Sequence, residues 1–200
     1  MALPQNVVFD VGNVLLAWDP GDLVRDHVPD SSRHDVVLQG IFGHHDWQLL
    51  DQGRLAEEAA NRRFSERTGL DLETVERLIH ASKDCLSPME CGFSLLDEVE
   101  QAGAAIYCLT NMSHGTFEFL RRKFDFWDRF RGLLVSARLD LIKPDPAIFR
   151  HLLEHFGLEP DETAFLDDNP ANVEGARSVG IRARVYDTTC RDWLFAGAPL

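Results

Sequence analysis

Short apolar runs separated by amphipathic stretches organise this chain. In "NVVFDVGNVLL" (6–16), Val7, Val8 and Phe9 are β-branched or aromatic and predict a short buried strand, which the turn formers Gly12 and Asn13 end. "AAIYCLTN" from Ala104, "GLLVSA" from Gly132 and "TAFLDDN" from Thr163 are also of strand length, and a weaker "ARVY" follows from Ala183. Between these runs "FSLLDEVEQAG", "HGTFEFLRRKF", "DPAIFRHLLEHFG" and "NPANVEGARSVG" have helical spacing, and Gly103, Gly157 and Gly180 close three of them. Pro146 and Pro170 each follow a capping residue, Asp145 and Asn169, as suits a first helical turn. Alternating strands and helices predict an α/β fold, a parallel sheet with crossover helices.

From about Trp18 to Ser87 the alternation stops. "HDVVLQGIF", "LAEEAANRRFSERTG" and "DLETVERLIHASKDCL" are helical patterns with no clear strand between them. This stretch reads as an all-helical insertion at 18–87, entered through "AWDPGD" and left through "SPMECG". Residues 1–17 and 88–200 then form the core.

The chain has 200 residues, 44% hydrophobic and 26% charged, enough for one sizeable core with a smaller insertion. No apolar run reaches the roughly 20 residues of a membrane span, and "MALPQN" does not resemble a signal peptide, so no membrane partner and a cytoplasmic location are expected. Cys85, Cys91, Cys108 and Cys190 show no C-x-x-C spacing and read as buried structural thiols. A formal charge of −13 with scattered basic residues argues against a nucleic-acid partner. The one basic cluster, "RRKFDFWDRFR", is interleaved with Asp125 and Asp128 and reads as a solvated helix end and loop. Nothing in the pattern bears on oligomeric state.

Candidate chemistry falls at the strand ends. Asp10 ends the first strand, Thr110 and Asn111 the second, and Asp167 and Asp168 the fourth, while Lys143 follows the third. Strands of one parallel sheet bring their carboxyl ends to a common edge, so these groups can converge despite their separation in sequence. Carboxylates, an ammonium and a hydroxyl together suit Mg²⁺ and phosphate, because this hard cation takes oxygen ligands and bridges protein carboxylates to phosphoryl oxygens. Such a site reverses the sign of an acidic protein locally and admits a small phosphorylated metabolite.

In their order, "FDVGNVL", "LTN", "KPDPAIF" and "FLDDNPANVEGA" resemble the haloacid dehalogenase superfamily of aspartate-nucleophile hydrolases, over almost the whole chain. The insertion resembles that superfamily's C1-type helical cap on a Rossmann-like core. Within the superfamily, the "FDxGNV" start and "DDNxxNxxGA" end are similar to sugar phosphatases of the α-glucose-1-phosphatase type. The resemblance implies a Mg²⁺-dependent phosphomonoester hydrolase in which Asp10 attacks phosphorus and forms an aspartyl-phosphate. It implies Mg²⁺ held by Asp10, the Gly12 carbonyl and Asp168, with Asp167 acting through water and Asn172 bracing the acidic pair. Lys143, the Thr110 hydroxyl and the Asn111 amide would then bind the phosphoryl oxygens.

Gly12 departs from the pattern. Most phosphatases of the superfamily carry there a second aspartate that protonates the leaving alcohol, work typically worth ~10²–10⁴-fold in rate. Asp19, His44, His45 and His114 are candidate substitutes. In "HHDWQLLDQGRL" (44–55), Trp47, Asp51 and Arg54 sit beside a flexible Gly53 and suit stacking on, and hydrogen bonding to, a small organic group, with Trp47 and Arg54 as the substrate contacts. Trp47 equally suits the core of the helical insertion. Two alternatives remain: a metal-independent 2-haloacid dehalogenase, and a non-catalytic module that binds a phosphometabolite.

Overall fold

The computed structural model describes residues 3–196. The opening run is β1 (Asn6–Phe9), followed by β2 (Leu16–Ala17), α1 (Pro20–His27), α2 (His34–Val37), α3 (His45–Asp51), α4 (Glu57–Thr68), α5 (Leu72–Asp84) and β3 (Ser87–Pro88). The remainder alternates as α6 (Glu90–Gln101), β4 (Ala105–Thr110), α7 (His114–Lys123), β5 (Gly132–Val135), α8 (Pro146–Phe156), β6 (Thr163–Asp167), α9 (Pro170–Arg177), β7 (Arg182–Val185) and α10 (Cys190–Phe195). Five strands pair in parallel in the order β5-β4-β1-β6-β7. β1 lies at the centre, and the chain builds first to one side of it and then to the other. That reversal is the topological switch beside which open α/β sheets bind ligands.

Strand alternation sorts the core into two layers. Val7 and Phe9 of β1 face one cluster with Ile106, Cys108 and Leu166, covered by α6, α7 and α10. Val8 faces the other with Tyr107, Leu109 and Phe165, covered by α8 and α9. A third apolar cluster, including Leu23, Ile41, Phe64, Val75 and Ile79, belongs to the helices α1 to α5. These helices lie between β2 and β3, which pair antiparallel through Leu16–Pro88 and Ala17–Ser87.

The expected caps form. Asp145 accepts a hydrogen bond from the Ala147 amide at 2.9 Å and Asn169 from the Ala171 amide at 2.9 Å, each with proline in the first turn that follows. Gly157 ends α8 with φ +64°, a left-handed conformation that glycine adopts without steric penalty.

Two expectations are corrected. "RRKFDFWDRFR" is not solvated throughout: Phe126 and Trp127 are buried, and Trp127 stacks edge-on against Phe117 and donates to the Leu120 carbonyl at 3.1 Å. Charges at every few positions conceal an apolar anchor that folds back under α7. Of the cysteines, Cys108 and Cys190 are buried, but Cys85 and Cys91 are exposed, because each sits at an end of a helix beside the β2–β3 pair rather than on an inward face. No helix among the described residues is long and apolar enough to cross a membrane.

Candidate active site

The carboxyl edge of the sheet gathers the charged groups. Asp10 follows β1 directly, and its amide donates to the Leu166 carbonyl at 2.9 Å, continuing the β1–β6 ladder by one residue. Asp167 ends β6, Thr110 ends β4, and Lys143 comes from the loop between β5 and α8. Side-chain oxygens of Asp10, Asp167 and Asp168 lie within 4.8 Å of one another.

Lys143 holds this cluster together. Its fully buried ammonium lies 2.9 Å from Asp10 Oδ1 and 2.6 Å from Asp167 Oδ2, and it donates to the Leu109 carbonyl at 3.0 Å. Burial disfavours that charge, but Asp10 and Asp167 outweigh the penalty and hold the ammonium above its ordinary pKa. Burial also pushes the Asp10 carboxyl up, to about 7, opposed by Lys143 and reinforced by Asp167. A cation bound at the cluster would add a second positive charge and favour the ionised Asp10 carboxylate.

Position is imposed on Lys143 through its backbone. The Asn111 side chain accepts from the Lys143 amide at 2.9 Å and donates to its carbonyl at 2.9 Å, clamping the loop to the end of β4. Asp167 is likewise immobilised, accepting from the Asn169 amide at 2.9 Å and from Asn172 Nδ2 at 2.9 and 3.0 Å besides Lys143. Asp168 is freer: partly exposed, it accepts from Asn13 Nδ2 at 3.0 Å, and its pKa is raised by burial against that hydrogen bond. Asn13 is in turn fixed with φ +50° and accepts from the Trp18 amide at 2.9 Å. An all-oxygen set of three carboxylates is the donor chemistry of a hard divalent cation such as Mg²⁺, so the residues present fit that ion.

A cavity of about 260 Å³ opens on the cluster. Asp10, Gly12, Thr110, Asn111, Asp168 and Asn172 line its floor side, and Trp18, Trp47, Asp51, Ser82, Leu86 and Met112 are among the residues that complete it. Trp47 serves both readings of it, since it lines the cavity and also stacks on Trp18 with ring centroids 6.2 Å apart. Arg54 does not line the cavity; it is half-exposed and pairs with Asp140, because the turn after α3 carries it outward across the core surface. Neither do the four expected substitutes for the missing aspartate. Asp19 caps α1 through the Gly21 and Asp22 amides, His44 caps α3 by accepting from the Asp46 amide at 3.0 Å, and His45 and His114 are exposed.

Asn13 and Trp18 also belong to the site, though no motif quoted for the chemistry singles them out. Their signal was present in "FDVGNVLLAW": an asparagine one position beyond Gly12 tolerates a left-handed turn and can turn its amide back on the carboxylate cluster.

A family model of haloacid dehalogenase-like hydrolases matches residues 4–180. The sesquiterpene phosphatase astK of Aspergillus oryzae is 29% identical over 174 residues, covering 87% of this chain and 85% of that protein. A phosphoserine phosphatase of Thermus thermophilus is 37% identical over 102 residues, 49% of this chain and 40% of that one. Among solved structures, a haloacid dehalogenase family enzyme of Bacteroides thetaiotaomicron in complex with magnesium and inorganic phosphate superposes with a TM-score of 0.68 at 20% identity, covering 92% of this chain and 94% of that one. With the match running from before β1 to beyond α9, and with every motif of the resemblance at the edge of one sheet, the chain belongs to the haloacid dehalogenase-like hydrolases.

Proposed function

We propose that this hydrolase releases inorganic phosphate from a small phosphorylated metabolite, with Asp10 as the nucleophile and Mg²⁺ as the cofactor. The observation that carries this reading is the convergence of Asp10, Lys143 and the Asp167–Asp168 pair on one cavity. Asp10, the Gly12 carbonyl and Asp168 would hold the cation, Asp167 would act through water, and the ion would offset repulsion between nucleophile and phosphate. Asp10 attacks phosphorus, the ester oxygen departs as the alcohol, and water then hydrolyses the aspartyl-phosphate. Thr110, Asn111 and Lys143 stabilise the phosphoryl oxygens as charge redistributes.

Residues 18–87 serve as a cap that selects the alcohol, as the lining residues Trp18, Trp47, Asp51 and Ser82 support. Hydrogen-bonding groups such as Asn13, Asp51, Ser82 and Thr116 suit a hydroxylated substrate such as a sugar phosphate. A second substrate reading rests on the apolar wall of Trp18, Trp47, Leu86 and Met112, which suits the phosphate of a hydrocarbon alcohol; the sesquiterpene phosphatase relative supports it.

The test is phosphate release from sugar phosphates, isoprenyl monophosphates and an aryl phosphate, with Mg²⁺ or with chelator. Asp10→Asn is expected to lower release at least about 10³-fold without unfolding the chain. Release that needs neither Asp10 nor Mg²⁺ would overturn the reading. Halide release from a 2-haloacid in chelator would point to the dehalogenase. Phosphate binding without turnover would leave a binding module.

A further inference from the structure

Gly12 leaves the leaving alcohol without the expected acid, and its backbone faces open space: a Cβ built there meets nothing within 4 Å. Room for a side chain is therefore present in the cavity while the side chain is not. Among the described residues lining that cavity, the titratable ones are Asp10, Asp168 and Asp51. The first two are the nucleophile and a cation ligand. Asp51 has neither task.

Asp51 is the last residue of α3, yet it is held by the core. Its carboxyl faces two donors, the backbone amide of Ser113 and the side chain of Trp47, whose indole nitrogen can only donate. Its own carbonyl accepts from Ser136 Oγ, which also accepts from the Met112 amide at 2.9 Å. The carboxyl thus faces the loop after β4, which follows Thr110 and Asn111, and the carbonyl is tied to the same loop through Ser136, the first residue after β5. The following turn is pressed on the core as well: Gln52 donates to the Asp140 carbonyl at 3.0 Å, and a Cβ on Gly53 would lie 2.3 Å from the Ala137 carbonyl oxygen.

We propose that Asp51 is the general acid and base of this active site, taking over from the insertion the proton transfers that Gly12 cannot perform. The inference rests on the phosphatase reading above. In the first step Asp10 bonds to phosphorus as the phosphorus–oxygen bond to the alcohol breaks, and the departing oxygen takes the proton of the Asp51 carboxyl. In the second step the Asp51 carboxylate takes a proton from water as the water oxygen bonds to phosphorus. The Asp10–phosphorus bond breaks, leaving inorganic phosphate, a free Asp10 carboxylate and Asp51 protonated for the next cycle.

The surroundings match that alternation. Burial pushes the Asp51 carboxyl up to about 7, the amide and indole donors oppose it, and no neighbouring charge contributes. Around it the β4 loop and α7 bring uncharged Met112, Ser113 and Thr116, and α5 brings Ser82, whose neighbour Lys83 is paired with Glu57 beside Gly115. On the segment after β5, Arg138 pairs with Glu118, Asp140 with Arg54, and Lys143 with Asp10 and Asp167. On its own helix, Asp46 pairs with Arg63 and Arg67.

The experiment compares wild type, Asp51→Asn, Asp51→Glu and the double variant Gly12→Asp/Asp51→Asn, in Mg²⁺, on an alkyl phosphate and on p-nitrophenyl phosphate. An aryl oxide leaves without an acid, so Asp51→Asn is expected to give a burst of nitrophenol followed by slow turnover, while alkyl phosphate release falls about 10²-fold or more. The alkaline limb of kcat/KM for the alkyl substrate flattens in Asp51→Asn, and Asp51→Glu and the double variant recover activity. Turnover of the alkyl phosphate within about twofold of wild type, with the pH profile unmoved, overturns the assignment of Asp51 alone. Equal losses on both substrates, with no burst and no recovery in the double variant, also overturn it and mark a structural residue. Absence of Asp10-dependent phosphate release in wild type overturns the phosphatase reading and this inference with it.

Discussion

Lys143 is the residue on which the site's electrostatics turn. Its side chain is fully buried between Asp10 and Asp167, so a neutral replacement leaves two carboxylates facing each other away from water. Lys143→Met is expected to lower the stability of the metal-free protein by about 3–5 kcal/mol, measured by urea denaturation. Asp51 acts in the opposite sense. Its carboxyl moves from 3.8 in the unfolded chain to about 7 in the fold, so the folded state holds the proton more tightly over that interval. Its contribution to stability is complete below the unfolded value and is lost as pH rises through the folded one. Asp51→Asn, which cannot ionise, should therefore gain stability relative to wild type as pH rises from about 4 to about 8, by on the order of 4 kcal/mol in metal-free protein. A flat difference across that range would show that burial does not raise this carboxyl.

At the scale of elements, the site depends on how α3 meets the core. The turn after α3 needs glycine twice over, for a φ of +79° at Gly53 and for its 2.3 Å approach to the Ala137 carbonyl oxygen. Gly53→Ala must lift the end of α3, and with it Asp51, off the β4 loop. The expectation is a loss of about 1–3 kcal/mol in stability and about tenfold or more in kcat/KM, because small displacements of reacting groups are costly to rate. Unchanged kinetics in a destabilised Gly53→Ala would separate the docking of α3 from the chemistry.

For the whole molecule, charge and metal are linked. Asp10, Asp167 and Asp168 repel one another at the edge of a chain already carrying −13, and Lys143 neutralises only part of that repulsion. A cation that binds the folded cluster stabilises it by mass action, about 2.7 kcal/mol at a hundredfold excess over Kd, which for a chain of this size is about 5–10 °C in Tm. Mg²⁺ is expected to raise Tm by that order in wild type and much less in Asp168→Asn, as thermal unfolding with and without chelator would show. An equal rise in both would place the ion elsewhere.

Local pattern and strand polarity account for the element order and for the edge at which the charged groups meet. Period-two and period-3.6 spacing, Asp145 and Asn169 before prolines, and glycine closures specify α/β alternation. Parallel strands then bring Asp10, Thr110, Asn111 and Asp167 to one edge without further information. Contacts between residues far apart in the chain set the rest. The order β5-β4-β1-β6-β7 follows from pairings between distant residues, and the cavity side of the helical segment follows from how its cluster settles on that edge. Trp18, Trp47 and Asp51 therefore face the cavity while Arg54, three residues beyond Asp51, runs out to Asp140. Nothing local separates these two fates, because the contacts that part them, Ser113 and Ser136 for one and Asp140 for the other, lie more than sixty residues along the chain.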